Sequence, residues 1–271
     1  MNFIEKLDNA TRKNKSLVCV GLDPDPQLMP DKIGLLEFNQ SIIDATADLV
    51  CAYKLNFAFY EALGSKGMDV LKQSVRHVPD SIPVIGDAKR GDIGNTAKAY
   101  AKAIFDDLDF DATTVSPYLG FDALDPFFQY KDRGVFILCR TSNPGALDFQ
   151  SLICETENGT QPLFEIVARK AEEWNIYGNI GLVVGATYPE ELKLIRQNHP
   201  DMPLLIPGIG AQGGDLATVV RYGVTKKGEK AVINSSRQII YASRDKDFAQ
   251  VAKQAATELK DQINSHLSNQ V

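Results

Sequence analysis

The chain has 271 residues, 44% of them hydrophobic and 24% charged, which is enough to bury a full core in one α/β barrel or in two modest domains. Its 29 Lys and Arg against 35 Asp and Glu leave a formal net charge of −6. That balance argues against nucleic acid or an anionic membrane surface as the main partner, and an anionic ligand would need a local cluster of positive groups.

The opening segment "MNFIEKLDNATRKNKS" interleaves charges with Phe3, Ile4 and Leu7 at helical spacing. It lacks the continuous apolar core of a signal peptide, and no later run is long enough to span a membrane. Short apolar runs then recur eight times, at 17–23, 51–56, 82–89, 111–116, 135–140, 180–185, 203–208 and 231–236. Helix-like stretches lie between them at 35–49, 94–106, 120–131, 161–175, 189–198 and 212–222. Strands alternating with helices imply parallel strands joined by right-handed crossovers, and eight such units predict a (β/α)8 barrel. No linker or shift of composition divides the chain, so 1–271 is read as a single barrel domain. The longest connection, 140–161, contains "TSNPGA" and "ENGT"; it is either a lid or a disordered loop.

Four cysteines, Cys19, Cys51, Cys139 and Cys154, form no CxxC pair, and the first three lie in apolar runs. Buried reduced thiols and a cytoplasmic protein are therefore expected. His77, His199 and His266 are scattered, without metal-ligand spacing, and each is read as a surface residue.

A barrel gathers its active site at the carboxyl ends of its strands. Polar residues collect there: Asp23 after the first run, Lys54 in the second, Asp87 and Lys89 in the third, Ser116 after the fourth, and Arg140 to Ser142 after the fifth. Asp87 and Lys89, two apart on one strand, would share a face. Lys54, inside "CAYKLNFAFY", either faces a polar cavity or snorkels from the strand end. Asp92 could cap the helix that follows. "PGIGAQGGD" after the seventh run is either a phosphate cradle at a helix start or an ordinary glycine-rich turn. Arg237, past the eighth, supplies a planar charged fork, for a phosphate or for a surface salt bridge.

The stretch "DAKRGDIGNTAKAYA" resembles the D-x-K-x-x-D signature of the orotidine 5′-monophosphate decarboxylases, the longer-chain bacterial variety in particular. "GLDPD", "YKLN", "TSNPGA", "PGIGAQGG" and "SSR" extend the resemblance over nearly the whole chain. The resemblance implies decarboxylation of orotidine 5′-monophosphate to uridine 5′-monophosphate, the last step of pyrimidine nucleotide synthesis, with no metal or organic cofactor. It makes Lys89 the proton donor at pyrimidine C6, with Asp87 beside the departing carboxylate and Lys54 linking the charges to the ribose, while Asp23 binds a ribose hydroxyl. Ser142 would contact the pyrimidine, Gln212 would clasp base and phosphate, and Arg237 would anchor the phosphate. Asp92, Ile93 and Thr96 would be lent to the neighbouring subunit's site in a homodimer. The chain departs from shorter members of the family in Ser236, where they have glycine, and in its longer segment at 155–160. Two other readings stay open: a related sugar-phosphate barrel using the same motif to position Mg²⁺ and an enediolate, which EDTA would inhibit, and a non-catalytic nucleotide-binding barrel.

Overall fold

The computed structural model describes residues 1–157, 159–209 and 215–268. Helix α1 (Phe3–Asn14) opens the chain, followed by β1 (Val18–Gly21), α2 (Leu35–Thr46), β2 (Ala52–Asn56), α3 (Phe57–Glu61), α4 (Gly64–His77) and β3 (Val84–Arg90). Next come α5 (Gly94–Lys102), β4 (Ala112–Val115), α6 (Phe121–Phe128), β5 (Gly134–Arg140), and the short strands β6 (Ile153–Thr156) and β7 (Gly159–Pro162). The last part holds α7 (Leu163–Trp174), β8 (Ile180–Val184), α8 (Pro189–Asn198), β9 (Leu204–Ile206), α9 (Leu216–Gly223), β10 (Ala231–Ser235), α10 (Arg237–Ile240) and α11 (Phe248–Ser268).

Eight strands close into an all-parallel barrel in the order β1-β10-β9-β8-β5-β4-β3-β2, ringed by helices, as the alternating runs predict. Each barrel strand is covered on both faces, which explains why its sequence reads as an apolar run rather than an alternation. Inside the barrel, Cys19, Ala52, Ile85, Ala112, Phe136, Val183, Leu205 and Val232 pack as one cluster. Outside, the remaining strand residues meet the helices in a second, larger cluster that includes Phe38, Leu71, Phe127, Leu192 and Ala252. Cys19, Cys51 and Cys139 are buried and free, and burial pushes the Cys51 thiol up to about 12. Among the described residues no helix is long and apolar enough to cross a membrane.

Three expectations need amendment. His199 is buried, not at the surface, because its Nδ1 lies 2.8 Å from Glu172 Oε2 across the α7–α8 groove. Helices α4 and α11 fall outside the six helix-like stretches; α4 buries Leu71 and Val75, with Met68 and Val70 packed partly against the core. The 140–161 connection carries a 3-10 turn at Pro144–Asp148 and the β6–β7 antiparallel hairpin, with Leu147, Phe149, Leu152 and Ile153 exposed.

Helix α1 seals the end of the barrel where the strands begin. Asn2 and Glu5 form a reciprocal capping box, with bonds of 2.9 and 3.0 Å, and this starts the helix where Phe3 and Leu7 can enter the interior cluster. Phe3 meets Phe136 edge to face at 5.7 Å. Its ring fills the space beside Gly134, where a Cβ would sit 2.3 Å from Phe3 Cδ1. Gly134→Ala should therefore push the plug out and cost roughly 1–3 kcal/mol, read as a lower urea midpoint without a change in slope.

Candidate active site

At the carboxyl ends of the strands lies a cleft of about 510 Å³, lined among others by Asp23, Lys54, Asp87, Asn234, Ser236 and Arg237. The core of the site is a line of alternating charges drawn from three adjacent strands. Lys54 of β2, 4% exposed, donates to Asp87 Oδ2 at 3.2 Å and lies 3.6 Å from Asp23 Oδ1, just past β1. Lys89 Nζ donates to Asp87 Oδ1 at 2.6 Å. Lys54 thus faces a polar cavity and does not snorkel. Burial pulls its ammonium down, but Asp23 and Asp87 outweigh burial and hold it above the ordinary lysine value. Burial likewise pushes Asp87 up, and Lys54, Lys89 and the Thr114 hydroxyl together overcome this and bring it down to about 2.

Asp87 and Lys89 do meet, but not as neighbours on the face of a regular strand. The β3–β4 register pairs Gly86 with Thr113 and next Arg90 with Val115, so β3 bulges across the two charged residues. Lys89 lies at the bulge with φ +48°, in the left-handed region that disfavours a side chain. Its side chain is 49% exposed, whereas Asp87 beneath it is buried.

The other expected residues lie around this line. Arg237 is exposed, begins α10 and lines the cleft; Ser236 before it donates to Gly21 O at 3.0 Å. Asp23 also accepts from Asn56 N at 3.3 Å. Ser142 follows β5 and is seated on Gly185, where an added Cβ would come 2.9 Å from Ser142 Cβ. Arg140, fully buried, does not line the cleft: it pairs with Glu191, stacks at 3.7 Å on Tyr188 and contacts Gln150 Oε1, which in turn accepts from Thr141 N at 2.8 Å. This buried cation braces the loop that carries Ser142. Ser116 lies under the neighbouring apolar hollow and not in the cleft. Gln212 and most of the "GIGAQGGD" loop lie outside the described residues.

Asp92 joins neither lysine of its own chain. Its Oδ1 accepts from Ile93 N at 2.8 Å and caps nothing further along α5, which starts without a side-chain cap. Ile93 is 58% exposed and Thr96 is exposed on the first turn of the helix. Four residues of the site escape a reading of charge pattern: Thr114, Asn56, Asn234 and Tyr241, whose hydroxyl accepts from Asp25 N. Asn56 and Asn234 had a signal, the first as the end of "YKLN" and the second as the start of the polar end of the eighth run. Among the described residues no group of three or more His, Cys, Asp or Glu could hold a metal ion.

A family model described as "Orotidine 5′-phosphate decarboxylase / HUMPS family" matches residues 16–254. An orotidine 5′-phosphate decarboxylase of Dehalococcoides mccartyi strain CBDB1 is 56% identical over 266 residues, covering 98% of each chain. One from Herpetosiphon aurantiacus is 52% identical over 260 residues, covering 94% of this chain and 95% of its own. The solved structure of Leishmania donovani OMP decarboxylase superposes with a TM-score of 0.86 at 40% identity, covering 98% of this chain and 99% of that one.

The depressed Asp87 value has a consequence for stability. A carboxyl held near 2 when folded and near 3.9 when unfolded binds its proton less readily in the native state, so its contribution is complete above about pH 5 and drains as pH falls toward about 2. The full amount is about 2–3 kcal/mol, of which about 1 kcal/mol is lost between about pH 6 and about pH 3. Urea unfolding at those two pH values should show wild type losing about 1 kcal/mol more than Asp87→Asn. Parallel losses in the two proteins would mean that Asp87 is not held down by its lysines.

Proposed function

The chain belongs to the orotidine 5′-phosphate decarboxylase / HUMPS family, and from that premise we propose that it converts orotidine 5′-monophosphate to uridine 5′-monophosphate and CO2. This is the last step of pyrimidine nucleotide synthesis, carried out in the cytoplasm. The observation that carries the reading is the Asp23–Lys54–Asp87–Lys89 line at the mouth of the barrel, with Arg237 lining the same cleft. The names and near-complete coverage of the relatives favour the nucleotide substrate over a sugar phosphate.

The chemistry needs this arrangement. Breaking the bond between C6 and the carboxyl carbon releases CO2 and leaves the electron pair on C6, orthogonal to the ring π system. A positive charge and a proton must stand at that carbon. Lys89 supplies both: its ammonium stabilises the developing carbanion and its proton passes to C6. Asp87 beneath it faces the substrate carboxylate, and two like charges about 4 Å apart at an effective dielectric near 20 repel by roughly 4 kcal/mol. Relief of that repulsion is worth at most about three decades of rate, so the larger share falls to Lys89 and to phosphate binding used to close the site. Both Asp87 oxygens are already engaged by ammonium groups, which favours a reaction without a metal.

Arg237 anchors the 5′-phosphate and Gln212 clasps phosphate and base; Asp23 binds a ribose hydroxyl and Ser142 the pyrimidine. The whole chain, 1–271, works as one barrel unit, and the 140–161 segment is its lid, closing over a lysine that is half in solvent when the cleft is open. The enzyme is a homodimer with shared sites. Asp92, Ile93 and Thr96 reach the partner's cleft, a reading supported by the absence of an ion pair at Asp92 among the described residues. An exposed apolar band on the same side, Ile93, Tyr100, Tyr118, Leu119 and Phe121, also supports it.

Lys89→Ala tests the central role. Its kcat, followed by the loss of orotidylate absorbance in the presence of EDTA, should fall below about a tenth of wild type, a loss of at least ~1.4 kcal/mol of transition-state stabilisation. Affinity for uridine 5′-monophosphate should hold, because the work of Lys89 is done as carbanion character develops. A variant that keeps more activity has another proton donor.

The shared site is tested by complementation. Lys89→Ala and Asp92→Ala homodimers should both be severely impaired, yet an equal mixture after complete subunit exchange should regain roughly a quarter of wild-type activity per chain, since about half the dimers then carry one intact site. Activity that stays at the parental level after confirmed exchange would place Asp92 in its own chain's site.

A further inference from the structure

Thr114 is the penultimate residue of β4, and its side chain is buried inside the barrel mouth beside the bulge in β3. The bulge takes the Lys89 amide out of the regular ladder, and its hydrogen goes to a side chain instead: Lys89 N donates to Thr114 Oγ1 at 2.9 Å. The same Oγ1 lies 2.9 Å from Asp87 Oδ1. A backbone amide can only donate, so the hydroxyl oxygen accepts there and its one hydrogen is directed to the Asp87 carboxylate. The bond to Asp87 is buried and the one from Lys89 N partly so, and an unmade bond in such surroundings is costly. One hydroxyl therefore ties together the left-handed backbone of Lys89 and the carboxylate that holds the Lys89 ammonium at 2.6 Å.

We propose that Thr114 is a positioning residue of the reaction: its hydroxyl locks the bulge so that the Lys89 ammonium and the Asp87 carboxylate keep one mutual geometry at the reacting carbon. The role rests on the reading of Lys89 as proton donor. Without the hydroxyl, the Lys89 amide loses its acceptor and the strained φ of +48° loses the bond that secures it. Asp87 Oδ1 is left with Lys89 alone, and the pair can settle together away from the productive position. A displacement on the order of 1 Å at a reacting group can cost about a hundredfold in rate. The substrate grips lie elsewhere in the cleft, so the loss falls on kcat and not on KM.

The neighbouring Thr113 provides a control. It is equally buried on the same strand, but its hydroxyl donates to the backbone carbonyl of Gly86 at 2.9 Å and touches neither charged residue. The experiment compares Thr114→Val, Thr114→Ser, Thr113→Val and Lys89→Ala for kcat, KM and uridine 5′-monophosphate affinity. Thr114→Val should lower kcat at least about tenfold with KM and product affinity within about threefold of wild type, and Thr114→Ser should recover kcat to within about threefold. Thr113→Val should be less stable but nearly as fast as wild type. Should Thr114→Val not fold, Thr114→Cys, with its weaker donor and acceptor, is judged by the same criteria. The inference fails if Thr114→Val turns over normally, if Thr114→Ser is no better than Thr114→Val, or if Thr113→Val loses as much kcat. Those results with an inactive Lys89→Ala overturn the role of Thr114 alone, whereas an active Lys89→Ala overturns the proton-donor reading and leaves Thr114 nothing to position.

Discussion

One carboxylate, that of Asp87, holds two ammonium groups, and the rest of the site is arranged around that constraint. With Asp23 the line runs negative, positive, negative, positive from β1 to β3 and sums to zero. Neutrality is what makes its burial tolerable, because each ion lost from water is faced by an opposite one within hydrogen-bond or near-contact distance. Removal of any member strands a charge of one sign, which is why neither lysine can be understood as an independent side chain. The closed parallel barrel supplies the geometry: adjacent strands end side by side, so residues from distant parts of the chain converge without a long loop.

The parts of this arrangement that can be read from sequence are those where a residue conflicts with its surroundings. Apolar runs bounded by charges reveal the eight barrel strands, and Lys54 within such a run, or Asp87 at the end of one, is conspicuous because an ion in a strand core is costly. Residues that suit their surroundings are silent. Thr114 in "ATTVS" looks like any β-branched strand residue, yet its hydroxyl contacts both Asp87 and Lys89. The bulge is equally hidden: period-two spacing brings Asp87 and Lys89 to one face on paper, while the backbone achieves their contact by an irregularity that no pattern announces. Burial of His199 and Arg140 depends on partners, Glu172 and Glu191, that are close only in the folded chain.

Two kinds of support hold the loops above the charges. Beneath Ser142 the support is steric and ionic: Gly185 leaves room for its backbone, and the Arg140 guanidinium, stacked on Tyr188, reaches Gln150, which fixes Thr141. Under Arg237 it is a turn held by Ser236 to the Gly21 carbonyl across the neighbouring strand. The first support joins the end of β5 to the segment that follows β8. The second joins the two extremes of the barrel.

That second tie lies on the seam where β1 pairs with β10, Val18 beside Ile233. Asp23 follows one strand of the seam and Arg237 follows the other, so two neighbouring walls of the cleft are divided by nearly the whole length of the polypeptide. Contacts of such separation form late, since the entropy of closing so long a loop must be met before the pairing returns anything. During synthesis Lys54, Asp87 and Lys89 emerge well before β10, so the wall bearing Arg237 is the last side of the cleft to be made. Completion of the cleft therefore coincides with closure of the barrel, and the catalytic unit comes into being as one of the last events of its own biogenesis.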